Sequence, residues 1–159
     1  MTLERDRGRT VSEIMQSLRR VFRAIHEYYR DVSERFGITG PQLWALKTIS
    51  HNGTLSQTEL SEKMYLHPST ITGVVDRLER KGYVIRDRNH IDRRVVRVQL
   101  TPEGKALVKK APNPIQGKMI YGLRNLRKEE LNSICTSLQK LVALMEAQNV
   151  KARFFFDEE

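Results

Sequence analysis

Apolar side chains at Val11, Ile14, Met15, Leu18, Val21, Phe22, Ile25, Val32 and Phe36 recur mainly at steps of three and four. That spacing lines one stripe of a helix over residues 11–36. A helix of this length exceeds the globular average of roughly 11–12 residues, which points to packing against a second subunit or a long partner helix. Gly37 is placed to end it. Thr39-Gly-Pro-Gln42 reads as a helix start, with Leu43, Trp44, Leu46 and Ile49 as the apolar face behind it and His51-Asn-Gly53 as its close. Ser56-Gln-Thr-Glu59 is a capping box for a short helix running to about Lys63. A tight turn over 64–66 comes next. Pro68 then suits the first turn of another helix, where a missing N–H costs nothing. Ile71, Val74, Val75 and Leu78 form its inner stripe, and Gly82 stops it.

From there the period changes from helical to alternating. Tyr83-Val-Ile85 reads as a short strand, and Val96, Val98 and Leu100 alternate with Arg97 and Gln99 as a half-buried one. The intervening Arg88-Asn-His-Ile-Asp-Arg-Arg94 is polar and basic, so the pair predicts a hairpin with an exposed cationic tip. Thr101-Pro-Glu opens another helix. Pro112 and Pro114 must break or sharply kink it, and Gly117 and Gly122 weaken the helical tendency of the next segment. A last helix from about Arg127 carries Leu131, Ile134, Leu138, Leu141, Val142 and Met145. The tail from Phe154 is too short to classify. The fold class expected is mainly α with a small β-wing. It divides into a dimerisation helix over 1–36, a winged helix-turn-helix over 37–101, and dimerisation helices with a tail over 102–159.

Charge sharpens this picture. The 159 residues hold 28 Lys+Arg against 19 Asp+Glu, a net +9. Residues 77–97 alone carry eight Lys/Arg and three acids, so +5 of the +9 lies there. Such a surface favours polyanions, nucleic acid first and an anionic membrane second. No apolar run approaches the ~20 residues of a membrane span, and residues 1–10 lack the apolar stretch of a signal peptide. The single cysteine, Cys135, suits a reducing cytoplasm. Four histidines without a partner at ligand spacing argue against a metal, and no cofactor motif is present. Neither a nucleophile elbow nor a phosphate-cradling glycine loop nor a paired-carboxylate cleft suggests an enzyme.

The short capped helix, tight turn, polar-faced helix and basic hairpin make a winged helix-turn-helix. A reading helix entering a major groove about 12 Å wide needs small polar groups at its leading face. His67, Pro68, Ser69, Thr70, Thr72 and Gly73 supply them, and Arg77 can reach a base edge or phosphate. Ser56 and Thr58 stand at a helix N-terminus, where N–H groups and the dipole attract phosphate. In the tip, Arg88, His90, Arg93 and Arg94 suit the negative minor groove, with Asp92 placed to orient an arginine.

Leu66 to Val84, LHPSTITGVVDRLERKGYV, resembles the recognition helix and first wing strand of MarR-type regulators. Asp92-Arg-Arg94 with the stretch from Val96 to Gly104 is similar to that family's wing signature. The likeness runs over about 10–147 and is specific within 56–104. It implies a homodimer that binds double-stranded DNA, with the first and last two helices as the dimer interface. By the same resemblance, Ser69, Thr70, Thr72, Gly73, Asp76 and Arg77 are the reading positions, and Arg88, Asp92, Arg93 and Arg94 the wing positions. It further implies release by a small, often aromatic, effector. The interrupting prolines depart from the family's continuous helix and put the lobe spacing in question.

Other readings stand beside this one. A winged helix can serve as a protein-interaction module without reading DNA. Tyr28, Tyr29, Trp44 and Met64 can line an effector pocket, but aromatic residues at helical spacing are more often core. Arg80, Arg86 and Arg97 are compatible with a plain solvated face. Cys135 is read as covered in a dimer interface rather than as an oxidant sensor. Arg94→Ala should weaken binding to cognate DNA and shallow its salt dependence by about one phosphate contact. Unchanged affinity across a salt titration would remove the tip from the interface.

Overall fold

The computed structural model describes residues 2–88 and 96–151, with side chains over 6–87 and 96–151. Seven helices and three short strands appear in the described chain. Helix α1 spans Thr2–Phe36, α2 Gly40–Asn52, α3 Gln57–Met64 and α4 Pro68–Arg80. Strand β1 is Leu55–Ser56, β2 Val84–Arg88 and β3 Val96–Leu100. Helices α5 (Pro102–Lys110), α6 (Ile115–Arg124) and α7 (Lys128–Leu144) complete the order. The mainly helical class with a small β-wing is therefore present.

The helix starts are set by the caps visible in the sequence. Thr39 Oγ1 accepts from the Gln42 N–H at 3.3 Å while the Gln42 side chain accepts from the Thr39 N–H at 3.2 Å. Ser56 and Glu59 repeat the box at 3.1 and 2.7 Å. Thr101 Oγ1 accepts from Gly104 N–H at 3.1 Å and donates to the Gly82 carbonyl at 2.6 Å, so one hydroxyl ties the start of α5 to the end of α4. Gly82 takes φ +75°, a left-handed conformation costly for any residue with a Cβ.

Some expectations change. Helix α1 begins at Thr2 rather than near residue 11 and is 35 residues long, about 52 Å at 1.5 Å per residue. Its early turns are polar, so a period search that needs an apolar stripe misses them. The first wing strand runs over Val84–Arg88, not 83–85. The sheet has three antiparallel strands in the order β1-β3-β2, not a lone hairpin. The extra strand is two residues, Leu55 opposite Val98 and Ser56 opposite Arg97, too short for any periodicity. The prolines act as expected: α5 ends at Lys110 and α6 starts after Pro114. Despite Gly117 and Gly122, the next segment is helical.

The core lies in the lobe formed by α2, α3, α4 and the sheet, with the end of α1 and part of α5 packed on it. Leu43, Leu46, Ile49, Leu60, Met64, Ile71, Val75, Leu78, Val84 and Val98 are its buried centre. Helix α1 adds the buried Ile25, Tyr29 and Val32, with Tyr28 and Phe36 partly buried against the core. Upstream, Val11, Ile14, Met15, Val21 and Phe22 are exposed, as are Leu131, Ile134, Leu138 and Val142 of α7.

Gly104 marks the tightest approach in this lobe. A Cβ there would sit 2.1 Å from the Tyr83 carbonyl oxygen, a backbone atom that cannot swing aside. Gly104→Ala should therefore cost about 1–3 kcal/mol, the range for overpacking. A urea melt with an unchanged midpoint would show that α5 can slide off the sheet.

Candidate nucleic-acid interface

Helix α4 is divided lengthwise. Ile71, Val74, Val75 and Leu78 are buried, and the opposite side carries Ser69, Thr72 and Arg77 exposed with Thr70 and Gly73 half-exposed. The division comes from a period of 3.6 residues: one face is spent on the core and the other is left for a partner.

Several of these groups already have local work. The His67 Nδ1 accepts from the Ser69 N–H at 3.3 Å and lies 2.8 Å from its hydroxyl, so His67 caps α4. An accepting Nδ1 leaves Nε2 to carry the proton of the neutral ring. Thr72 Oγ1 donates to the Pro68 carbonyl at 3.1 Å. The Gln57 amide, oriented by its neighbours, donates to Thr72 Oγ1 at 3.1 Å and accepts from Arg86 Nη2 at 3.0 Å. Gly73 has no heavy atom within 4 Å of where a Cβ would stand, leaving the helix surface open to close approach. Arg77 stands exposed one turn further along the same side.

Arg86 is not a solvated charge. Its side chain is 22% exposed and its guanidinium bonds both Asp76 and Glu79. Its own N–H donates to Glu79 Oε1 at 3.2 Å. Burial alone would lower its pKa, but the bonds to Asp76 and Glu79 outweigh that and hold it above its ordinary value. Asp76, a reading position by resemblance, is thus tied to the wing strand. Sequence reasoning missed this link. The signal was available as two acids at i and i+3 on α4, followed by an arginine on the next strand.

Arg97 is also engaged, donating to the Thr54 carbonyl at 3.3 Å and lying 3.7 Å from Glu59. Arg80 is exposed, as a solvated face requires. Ser56 is at the α3 N-terminus, and its hydroxyl and N–H are both engaged with Glu59 in the capping box. Bonds from the Ser56 backbone and side chain hold the Glu59 carboxylate below its usual pKa. Thr58 is exposed beside it. The side chain of Arg88, together with His90, Asp92, Arg93 and Arg94, lies outside the described residues. Strands β2 and β3 pair as far as Arg88 opposite Val96.

The candidate effector residues separate. Met64 is fully buried and Trp44 nearly so, both within the core. Tyr28 is half-buried, and its hydroxyl is enclosed without a hydrogen-bond partner. Burial pushes that hydroxyl's pKa well above its ordinary value, with Tyr29 and Asp31 adding to it. Trp44 also edges a cleft between α2 and α6. Among the described residues no cluster of metal-ligating groups occurs, and no helix is long and apolar enough to cross a membrane.

Residues 38–96 match the model of the MarR family. The HTH-type transcriptional regulator YsmB of Bacillus subtilis is 34% identical over 131 residues, covering 82% of this chain and 90% of its own. The HTH-type transcriptional repressor MdtR of the same organism is 32% identical over 144 residues, 89% and 93% of the two chains. Among solved structures, a MarR family protein from Bacillus stearothermophilus is 34% identical with a TM-score of 0.53, covering 87% of this chain and 97% of that one.

Replacing Arg86 by glutamine should cost about 1–2 kcal/mol, because it leaves Asp76 and Glu79 without their cation but partly hydrated. The urea midpoint should fall accordingly. A midpoint equal to that of the parent chain would mean that the wing strand does not depend on α4.

Proposed function

The chain belongs to the MarR family of winged-helix regulators, and from that membership we propose that it is a homodimeric repressor released from DNA by a small effector. It is a DNA-binding transcriptional regulator rather than an enzyme. The finer reading is that two copies grip a near-palindromic operator, with α4 of each in successive major grooves and the 88–94 segment of each reaching the flanking minor groove. Ser69, Thr70, Thr72, Gly73 and Arg77 form the reading face. His67 and Pro68 shape its leading end, and Ser56 and Thr58 stand at its edge. Arg88, His90, Asp92, Arg93 and Arg94 make up the wing contact.

The observation that carries this reading is the lengthwise division of α4: its apolar stripe is consumed by the core, and its small polar side faces out uncovered. The dimer rests on separate support. Helices α1 and α7 each present an apolar row that a single chain leaves open, with Phe22 and Leu138 both 52% exposed. Rows of this extent mark interaction surfaces. The chain then divides into dimerisation helices at 1–36 and 102–159 flanking the reading domain at 37–101. Tyr28, Trp44 and Met64 keep their assignment to the effector region only in that Tyr28 packs against the core in which Trp44 and Met64 are buried. Of the three, Trp44 reaches an open cleft.

Binding-site selection with the purified chain tests the proposal. Enriched fragments should share two inverted half-sites about one helical turn apart. Leu138→Asp should give a monomer by light scattering and abolish the requirement for the second half-site. Selection that enriches no common sequence, from a protein that elutes as a monomer, would overturn the reading.

A further inference from the structure

Thr72 is exposed on the open side of α4, yet its hydroxyl is engaged twice within the chain. It donates to the Pro68 carbonyl at 3.1 Å and accepts from the Gln57 amide at 3.1 Å. Gln57 is half-buried at the first position of α3. Its carbonyl oxygen lies 3.0 Å from Arg86 Nη2 and 3.3 Å from Arg86 Nε. A guanidinium carries only donors, so the amide must turn its oxygen to Arg86 and its NH2 to Thr72. Arg86 is itself fixed, because Nη1 and Nη2 bond Glu79 and Asp76. The carboxylates accept, Arg86 donates, Gln57 accepts and passes a proton on, and Thr72 accepts it and donates inward. Each polarity in the row dictates the next.

An unengaged threonine hydroxyl offers a base edge either a donor or an acceptor. The Thr72 hydroxyl has one proton, and that proton is committed to Pro68. One of its two lone pairs faces Gln57. What it can still offer a partner is a single lone pair. In a major groove a lone pair accepts from adenine N6 or cytosine N4, and it repels guanine O6 or thymine O4.

We propose that Gln57 is a positioning residue for sequence readout: held by Arg86, it makes Thr72 an acceptor-only reader that selects A or C over G or T at one base of each half-site. The first wing strand then sets the chemistry of the reading face without touching a base itself. This base preference rests on the regulator reading; the hydrogen-bonded row stands without it.

Anisotropy titrations of the full chain test the preference, using the selected operator and variants that place each of the four base pairs at every half-site position. The parent chain should bind A or C about tenfold tighter than G or T at one position. Thr72→Val keeps the side-chain shape, removes the oxygen and should abolish that preference. Gln57→Leu lets the hydroxyl turn its proton outward and should bring the ratio below about threefold at the same position, with the ratios elsewhere unchanged. Gln57→Glu should keep the preference, because a carboxylate still accepts from Arg86 and takes the threonine proton. A merely structural Gln57 would shift affinity for all sequences together. A preference for G or T at the position sensitive to Thr72→Val, no such position, a ratio unaltered in Gln57→Leu, or equal flattening at every position would overturn the inference. Urea melts of the DNA-free variants check that each is folded and test the row itself. Gln57→Leu and Thr72→Val should lower the midpoint non-additively, since they break the same bond. Additive shifts would remove the row and the inference with it. Non-additive shifts in a chain whose selection enriches no common sequence would leave the row standing and overturn the regulator reading together with the base preference.

Discussion

The burial of one side of α4 is the constraint on which the rest of the molecule depends. Ile71, Val75 and Leu78 are fully enclosed, and each such side chain contributes about 1.5–3 kcal/mol relative to exposure. A helix pinned along that line cannot roll, because each residue of slip turns it by about 100° and brings polar groups inward. The same residues that complete the core therefore fix which way Ser69, Thr72 and Arg77 face. Arg86 adds a second restraint of a different kind. Its bonds to Asp76 and Glu79 fasten the first wing strand to the helix, so the two elements proposed to contact DNA share one rigid frame.

Much of this frame is legible in the sequence because it is encoded locally. The boxes at Thr39 and Ser56, the threonine at 101 and the glycine at 82 each act within a few residues, and each caps or stops the element expected of it. The features that escaped depend on distant partners. Strand β1 exists only because Leu55 meets Val98, forty-three residues later, and two residues have no period to detect. Arg86 reads as one more surface cation until folding sets it between two carboxylates. The cationic cleft between α2 and α6 is less visible still, since Lys47, Lys63, Lys118 and Arg124 come from three helices and no local pattern joins them. The exposed polar side of α4 was legible for the opposite reason: every residue on it belongs to one helix.

The prolines at 112 and 114 connect these observations. A continuous helix would carry residues 102–124 along a single axis. Ending α5 at Lys110 and restarting at Ile115 lets the chain change direction, and the Ala111 carbonyl freed by that break is the one Lys47 takes. Pro114 and Gly117 line the cleft that results. The interruption thus shapes the concavity in which the cations collect, and it brings Arg124 within reach of Tyr65.

The open apolar rows of α1 and α7 bear on where motion can enter the proposed dimer. Large apolar side chains stand exposed along both helices. Burying each in part yields a gain able to exceed the association cost of about 4–15 kcal/mol. That base would then be the stiffest part of the assembly, since its contacts are numerous and distributed over long helices. The lobe is attached to it through the end of α1, where Ile25, Tyr29 and Val32 are buried, and through the broken α5–α6 segment. The first attachment is packed continuously, whereas the second contains a non-helical stretch of four residues between its helices. A change in lobe spacing therefore meets least resistance at 111–114, beside the cleft rather than within the base.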